Sequence, residues 1–527
     1  MGVLRKISLW SLALIAFYGC RKPSAADWDV DVVFPVVKSN LNIKNFIGDS
    51  IFKADNTGLL SLNVNREITA IKLDSLLALP DTSITTPFTT PFPINLTPGQ
   101  SLTFFAPTEL NFNISNGVAL KWFDIKSGLL TVKFTNDLVE PLDLLYIIPS
   151  AKKNGQPLTI FETVPPTPAT LVKTYDLSGY TLNMRGKFGT AYNTIVQAYT
   201  VTLNPNANPV AVNFGQGAKA DLTYSNIIPA YVEGYFGQQT IDIPLDTATL
   251  DIFNNFQASN FLLNNANLNF KIINEFGAEF SANLSNIKAI NSLNSNSITL
   301  SNGSLSNINI NRATKAGYTI FPSIKTVSLT NTNSNIVPFL SSLPNKLTYQ
   351  GKINVNPLGN LSGYNDFAYY NTGIKVLADI DIPLRFNADY FKLISNSKVD
   401  FSNVKQLENV NSGNFIISAL NGYPFRAEMQ GYLMDDQNQV LDSLFLPGVN
   451  FIEKGITDAQ NIVTSPTQSK ITIPVSKERI DKLKKTKTIK LVTYFRMPPN
   501  PPDIKIYENY SIDLNIIAEL NYKVKTN

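Results

Sequence analysis

The chain has 527 residues, 44 Lys and Arg against 40 Asp and Glu, a single cysteine and no histidine. So balanced a charge argues against a nucleic-acid binder, which needs a basic stripe to neutralise phosphates. Without histidine, neither Ser-His-Asp and Cys-His nucleophiles nor the usual Cys/His zinc sites can be built, leaving a carboxylate pair, a Ser-Lys pair or oxygen ligation of a hard cation.

The chain opens with Arg5 and Lys6, continues through the uncharged, mostly apolar Ile7–Tyr18 and reaches Gly19-Cys20. This run is too short to span a bilayer as a helix, which takes about twenty residues, and its three-part layout is that of a secretory signal. Loss of residues 1–19 would bring the formal charge from +4 to +2 and leave Cys20 as the new N-terminus. Phe17-Tyr18-Gly19-Cys20 resembles a lipobox, the cleavage site of bacterial lipoproteins, although Phe17 and Tyr18 stand where Leu and a small residue are usual. The resemblance implies a diacylglycerol and acyl chains on the Cys20 thiol, palmitate among them, as the only attached group, with no separate cofactor. Ala26-Asp27-Trp28-Asp29-Val30-Asp31 and the Asn- and aromatic-rich body are similar in style to outer-membrane lipoproteins of the Bacteroidota. That similarity implies the outer membrane, with Arg21 and Lys22 after the cysteine favouring its periplasmic face. With Cys20 acylated no thiol remains for a disulfide, so core burial must hold the fold together.

Residues 20–56 are expected as a lipidated tether, extended in part over 21–37, and 57–163 as a first β module. Leu60-Leu62-Val64 and Leu130-Val132-Phe134 alternate with polar residues, the period of a half-buried strand. Leu73–Leu79 is expected as a short turn of helix, and Thr85–Pro98, with four prolines, as an extended loop. Val164-Pro165-Pro166-Thr167-Pro168 marks a linker or long loop into a second module, 164–340, because successive prolines cannot continue a central strand. Within that module Leu268-Phe270-Ile272 alternates. Gly234-Tyr235-Phe236-Gly237-Gln238-Gln239 places two aromatics between glycines, which suits stacking on a sugar or lipid tail, or, the favoured reading, a tight turn covering a core edge.

The third module, 341–527, is expected to hold a short turn of helix at Ala388–Ile394, and the alternating strand Ile512-Leu514-Ile516 lies near its end. Asp435, Asp436 and Asn438, with Asp442 beyond, gather oxygen ligands that suit calcium, but lack the Gly and terminal Glu of an EF-hand loop; a hairpin turn is the favoured reading. Ser476–Lys485 is the best helix candidate, with Ser476 as N-cap and Ile480 and Leu483 on one face. Its Lys477, Arg479, Lys482, Lys484 and Lys485, followed by Lys487 and Lys490, form the densest basic run. They suit contact with anionic headgroups or, as favoured, a solvated helix face before a lysine-protected edge strand. Met497–Asp503 is expected to turn the chain between a strand ending near Arg496 and one starting at Ile504.

One pattern recurs: a strand, then an Asn, then a large apolar residue two positions on, at Asn136/Leu138, Asn274/Phe276 and Asn421/Tyr423. Such an Asn closes a turn or bulge that reinserts an apolar side chain into the core. The pattern resembles that of late-embryogenesis-abundant type 2 β-sandwiches, and its spacing of roughly 140 residues implies about three modules. The fold expected is all-β, mainly antiparallel, with two to four β-sandwich-like modules in an elongated arrangement and few short helices. The function expected is non-enzymatic: a membrane-tethered component that binds or scaffolds an envelope protein, lipid or glycan, with no nucleic acid as partner. The alternatives are a lipid carrier with an apolar groove and a glycan-binding or glycan-degrading surface lipoprotein.

Overall fold

The computed structural model describes residues 27–44, 51–73, 81–102, 107–250, 253, 256–301, 303–399, 410–445, 450–497 and 503–525. Within them the protein is all-β and antiparallel, with two α-helices, α1 (Ile336–Ser341) and α2 (Lys477–Lys485). Cys20 and most of the expected helix Leu73–Leu79 lie outside the described residues.

Three sandwiches follow one another, each containing a strand that ends on one of the recurring asparagines; in the first, Thr181–Asn183 pairs with both layers and joins them into one ten-stranded sheet. In the first, β4 (Ala119–Asn136) leads across the corner to β5 (Leu142–Lys153), and β6 (Gly217–Tyr235) returns beside β4. In the second, β7 (Asn267–Asn274) leads to β8 (Phe280–Asn291), and β9 (Gly373–Pro383) returns beside β7. In the third, β10 (Val410–Asn421) leads to β11 (Arg426–Met434), and β12 (Thr467–Ser476) and β13 (Ile512–Lys525) flank β10.

The corners share the same two hydrogen bonds. All three asparagines are buried, at 3%, 0% and 0% exposed. Each Oδ1 accepts the backbone N–H two residues on, from Leu138 (2.8 Å), Phe276 (2.9 Å) and Tyr423 (2.8 Å). Each Nδ2 donates to the carbonyl four residues on, at Glu140 (2.8 Å), Ala278 (3.0 Å) and Phe425 (3.1 Å). Asn274 and Asn421 reach a further carbonyl, of Asn311 (2.8 Å) and Glu453 (2.9 Å). A side-chain amide offers donors and an acceptor at once without charge, so it satisfies backbone groups that the sheet ladder abandons where the chain turns the corner. The apolar residue two on then enters the core: Leu138, Phe276 and Tyr423 are at most 3% exposed. In the third sandwich Tyr423 joins an aromatic stack with Phe425 (5.2 Å between centroids), Phe495 (5.7 Å) and Tyr510 (5.9 Å).

Residues before the first sandwich supply a strand to each, in reverse order, the one in the second sandwich bordered in turn by the short edge strand Phe52–Ala54. Strand β1 (Asp27–Leu41) pairs with β13 of the third sandwich, β2 (Leu60–Lys72) with β9 of the second and β3 (Thr82–Thr89) with β6 of the first. The registers coincide: Asn136, Ala218 and Phe88 lie in one row, as do Asn274, Ile374 and Ile71, and Asn421, Ile512 and Leu41. Asp27 therefore stands opposite Lys525, and both described ends of the chain meet in the third sandwich. Among the described residues, strand pairing joins the first sandwich to the second through Asp366–Tyr369, and the second to the third through Phe256–Ser259 and the small sheet of Leu262–Leu263, Arg385–Asn387 and Ile504–Lys505, with none between first and third.

Strand pairing groups the chain differently from the expected spans 57–163, 164–340 and 341–527. Asp27–Leu41, expected in the tether, is the edge strand β1, held by the long complementary strand β13. Thr85–Pro98 holds most of β3 and the strand Ile94–Leu96 instead of a loop; Pro87 is tolerated because β3 is an edge. Val164–Pro168 turns the chain within the first sandwich, between Gln156–Val164 and Thr170–Asp176. Ala388–Ile394 is not helical: Tyr390–Lys398 is a strand paired on both sides, and the buried Phe391 stacks on Phe495 at 4.6 Å. That packing overrides a weak local pattern. The expected helix at the basic run is there, α2, with Ser476 accepting from the Arg479 N–H and Ile480 and Leu483 buried.

The corner asparagines predict a stability effect. Asn421→Ala removes three hydrogen bonds and strands buried backbone groups, at a cost of about 3 kcal/mol. Asn421→Asp, which sets a buried carboxylate against the Phe425 and Glu453 carbonyls, costs more. Urea unfolding followed by near-ultraviolet circular dichroism measures both.

Candidate functional site

The sequence candidates fall in three places. At the junction of the first and second sandwiches, Phe236 is fully buried and its N–H donates to Asp366 Oδ2 (3.0 Å), which also accepts from Asn356 Nδ2 (2.8 Å). Tyr235 is half-buried edge-on to Tyr364 (6.1 Å), which in turn stacks on Tyr192 at 4.2 Å. Gly237 has φ +73°, and a Cβ there would lie 2.1 Å from the Asn116 carbonyl oxygen, so only glycine fits the turn. Tyr235 and Phe236 thus fasten two sandwiches together and form no exposed stacking platform.

Beside them lies a charged clasp that sequence reading missed, because its members come from separate strands. The Glu233 carboxylate takes Lys121 on one oxygen and Lys315 on the other, both at 3.1 Å, and accepts the Tyr231 hydroxyl. Lys315 also lies over the rings of Tyr231 (4.6 Å) and Phe367 (4.9 Å), and Lys121 donates to Asn365 (2.8 Å). Burial pushes the Glu233 carboxyl up, but Tyr231, Lys121 and Lys315 together outweigh it and hold it below its ordinary value. Burial, then the hydrogen bond to Glu233, pushes the Tyr231 hydroxyl far up.

In the third sandwich, Asp435, Asp436 and Asn438 form the turn of the hairpin from β11 to Val440–Ser443. Asp435 Oδ1 accepts the N–H groups of Gln437 (2.9 Å) and Gln439 (2.8 Å), and Asn438 takes φ +61°. Asp458 builds the same turn with Gln460 and Ile462. Among the described residues no three acidic, His or Cys side chains gather as a metal would need. Asp442 is engaged by Arg479 at 3.1 Å, a largely buried pair. Arg479 thereby fastens α2 to the sheet, while Lys482 pairs with Glu478 (3.0 Å) and Lys484 with Asp481 (3.1 Å) on the surface. Lys477 and Lys485 are exposed.

On the first sandwich an open cleft of about 480 Å³ has Trp122, 36% exposed, as its largest side chain. Pro107 and Pro149 extend its apolar floor, and Lys152, Asn183 and Lys187 border it. No carboxylate is among the residues lining this cleft. Pairing of Asn183 with Trp122 and of Thr181 with Lys152 assembles it from strands far apart in sequence, which is why spacing gave no sign of it. The sandwich interiors are filled by side chains: Phe88, Phe123 and Phe134 in the first, Phe276 and Phe280 in the second, Phe391 and Phe425 in the third are all under 2% exposed.

No family model matches the chain, and no curated protein does. Among solved structures, a protein assigned as secreted from Parabacteroides distasonis is 15% identical, covering 53% of this chain and 82% of its own, with a TM-score of 0.25. The VP2 protein of infectious bursal disease virus, as a mutant in derived particles, is 8% identical, covering 92% and 87%, with a TM-score of 0.11. At such scores neither likeness carries an argument about function.

The clasp predicts an acid-sensitive junction. A carboxyl held below its unfolded value contributes stability that is present above that value and lost as pH falls through the folded one. The parent should therefore lose thermal stability between about pH 5 and pH 3, and Glu233→Gln should show a smaller loss over that window. Scanning calorimetry across the range measures it.

Proposed function

We propose that the chain is a cell-envelope lipoprotein, tethered through acylated Cys20 to the periplasmic face of the outer membrane, that binds or scaffolds a partner and performs no catalysis. The observation that carries this reading is how soon after Cys20 the described strands begin. Seven residues after Cys20, Asp27 enters the edge strand of the terminal sandwich, and the other two sandwiches follow in series from it. An anchor there leaves the second and first sandwiches to extend away from the membrane and present their surfaces. Among the described residues no helix is long and apolar enough to cross a membrane, so the acyl chains are the means of attachment in this reading. The side chains filling the sandwich interiors count against the lipid-carrier alternative, which needs a continuous apolar groove there.

The test is Cys20→Ser. The parent should fractionate with membranes and incorporate radiolabelled palmitate; the variant should do neither. A variant that stays membrane-bound and labelled overturns the reading.

A second reading, glycan contact, is favoured by the Trp122 cleft. An indole face beside Asn and Lys donors suits the apolar face and hydroxyls of a pyranose, and the absence of lining carboxylates suits binding more than hydrolysis. Trp122→Ala should weaken retardation in envelope-polysaccharide affinity gels about tenfold, the loss of roughly one aromatic stacking contact. Unchanged mobility of parent and variant alike removes the reading.

A further inference from the structure

We propose that the open end of the third sandwich, formed by the start of β1 and by α2, rests on the anionic headgroups of the bilayer that holds the anchor. This rests on the tethering proposed above.

Three observations converge on that end. The first is an apolar face that stays exposed among the described residues. Residues directly opposite in an antiparallel pair share a face, so Val32, across from Leu520, lies on the side of the sheet that carries Leu520 and Ala518. There α2 seals the core, Ile480 packing with Val410, Val475, Ala518 and Leu520. Two and four residues back along β1, Val30 and Trp28 belong to the same face, beyond the core. Val30 is 43% exposed and Trp28 61%. An exposed indole on a core-facing position is the kind of side chain that settles at a membrane–water interface.

The second observation is register. Ser476, the N-cap of α2, is aligned through Ser412 and Asn521 with Asp31. The helix therefore sits at the same end of the sheet as Trp28, on the same face. Leaving aside Arg479, bound to Asp442, its four lysines outnumber Glu478 and Asp481, and Lys487 follows directly. The positive surplus and the apolar side chains are thus side by side, the pairing that an anionic interface rewards.

The third observation is reach. From Cys20 to Asp27 the chain spans at most about 25 Å fully extended. That short connection holds this end, and not the first sandwich, against whatever surface takes up the acyl chains.

The experiment uses the mature chain carrying Cys20→Ser, so that no lipid anchors it, with Trp122→Phe, which leaves Trp28 as its only tryptophan. Vesicles of phosphatidylcholine, alone or with phosphatidylglycerol, are prepared with and without brominated acyl chains. With phosphatidylglycerol, Trp28 emission should shift to the blue and be quenched by the brominated lipid, and added salt should reverse both. Adding Lys477→Gln and Lys485→Gln should raise the lipid concentration for half-maximal quenching at least tenfold, at about fivefold per lysine. Emission indifferent to phosphatidylglycerol, or unaltered by the lysine substitutions, overturns the proposal, as it would if this end instead met an acidic protein. The tether fails separately: a parent chain that incorporates no palmitate refutes the anchor and leaves the vesicle result to stand or fall alone.

Discussion

A buried side-chain amide holds each sandwich together at the corner where its chain turns from one layer to the other. Turning that corner strips backbone groups of their ladder partners inside the core, where an unmet donor or acceptor costs more than a hydrogen bond returns. Asn136, Asn274 and Asn421 supply both kinds of partner from one uncharged group, and the residue two positions on is thereby turned inward. The row each asparagine occupies also aligns its returning strand and its borrowed N-terminal strand.

The borrowed strands give the molecule its polarity. Because β1, β2 and β3 serve the third, second and first sandwiches in turn, none of the three is complete without residues from before position 90. Folding must close loops of hundreds of residues, as between Asp27 and Lys525, before those contacts form. The same arrangement brings both described ends to one sandwich and puts the first sandwich, with its Trp122 cleft, at the far end of the series.

Most chemistry-bearing residues that drew notice are spent on architecture. Arg479 fastens a helix through Asp442, Asp435 closes a hairpin, and Phe236 plugs a junction. The surface carries, among its features, an indole-floored cleft at one end and an apolar, lysine-flanked edge at the other. Under the proposed tethering, two such surfaces at opposite ends of the series suit a protein that spans from a membrane to a partner.

Local pattern alone determined the all-β class, the alternating strands, the capped helix at Ser476–Lys485 and the recurring asparagine corners. Each of these is a short-range matter of period two, an N-cap or an Asx-type turn, which a few neighbouring residues specify. Only the tertiary structure decided that Asp27–Leu41 is a strand, that Tyr390–Lys398 is not helical, that the N-terminal strands are dealt out in reverse, and that Glu233 meets Lys121 and Lys315. Those features depend on partners tens to hundreds of residues away. Strand pairing and buried charge pairs draw their energy from the neighbour across the gap, and no local stretch of sequence records which neighbour that is.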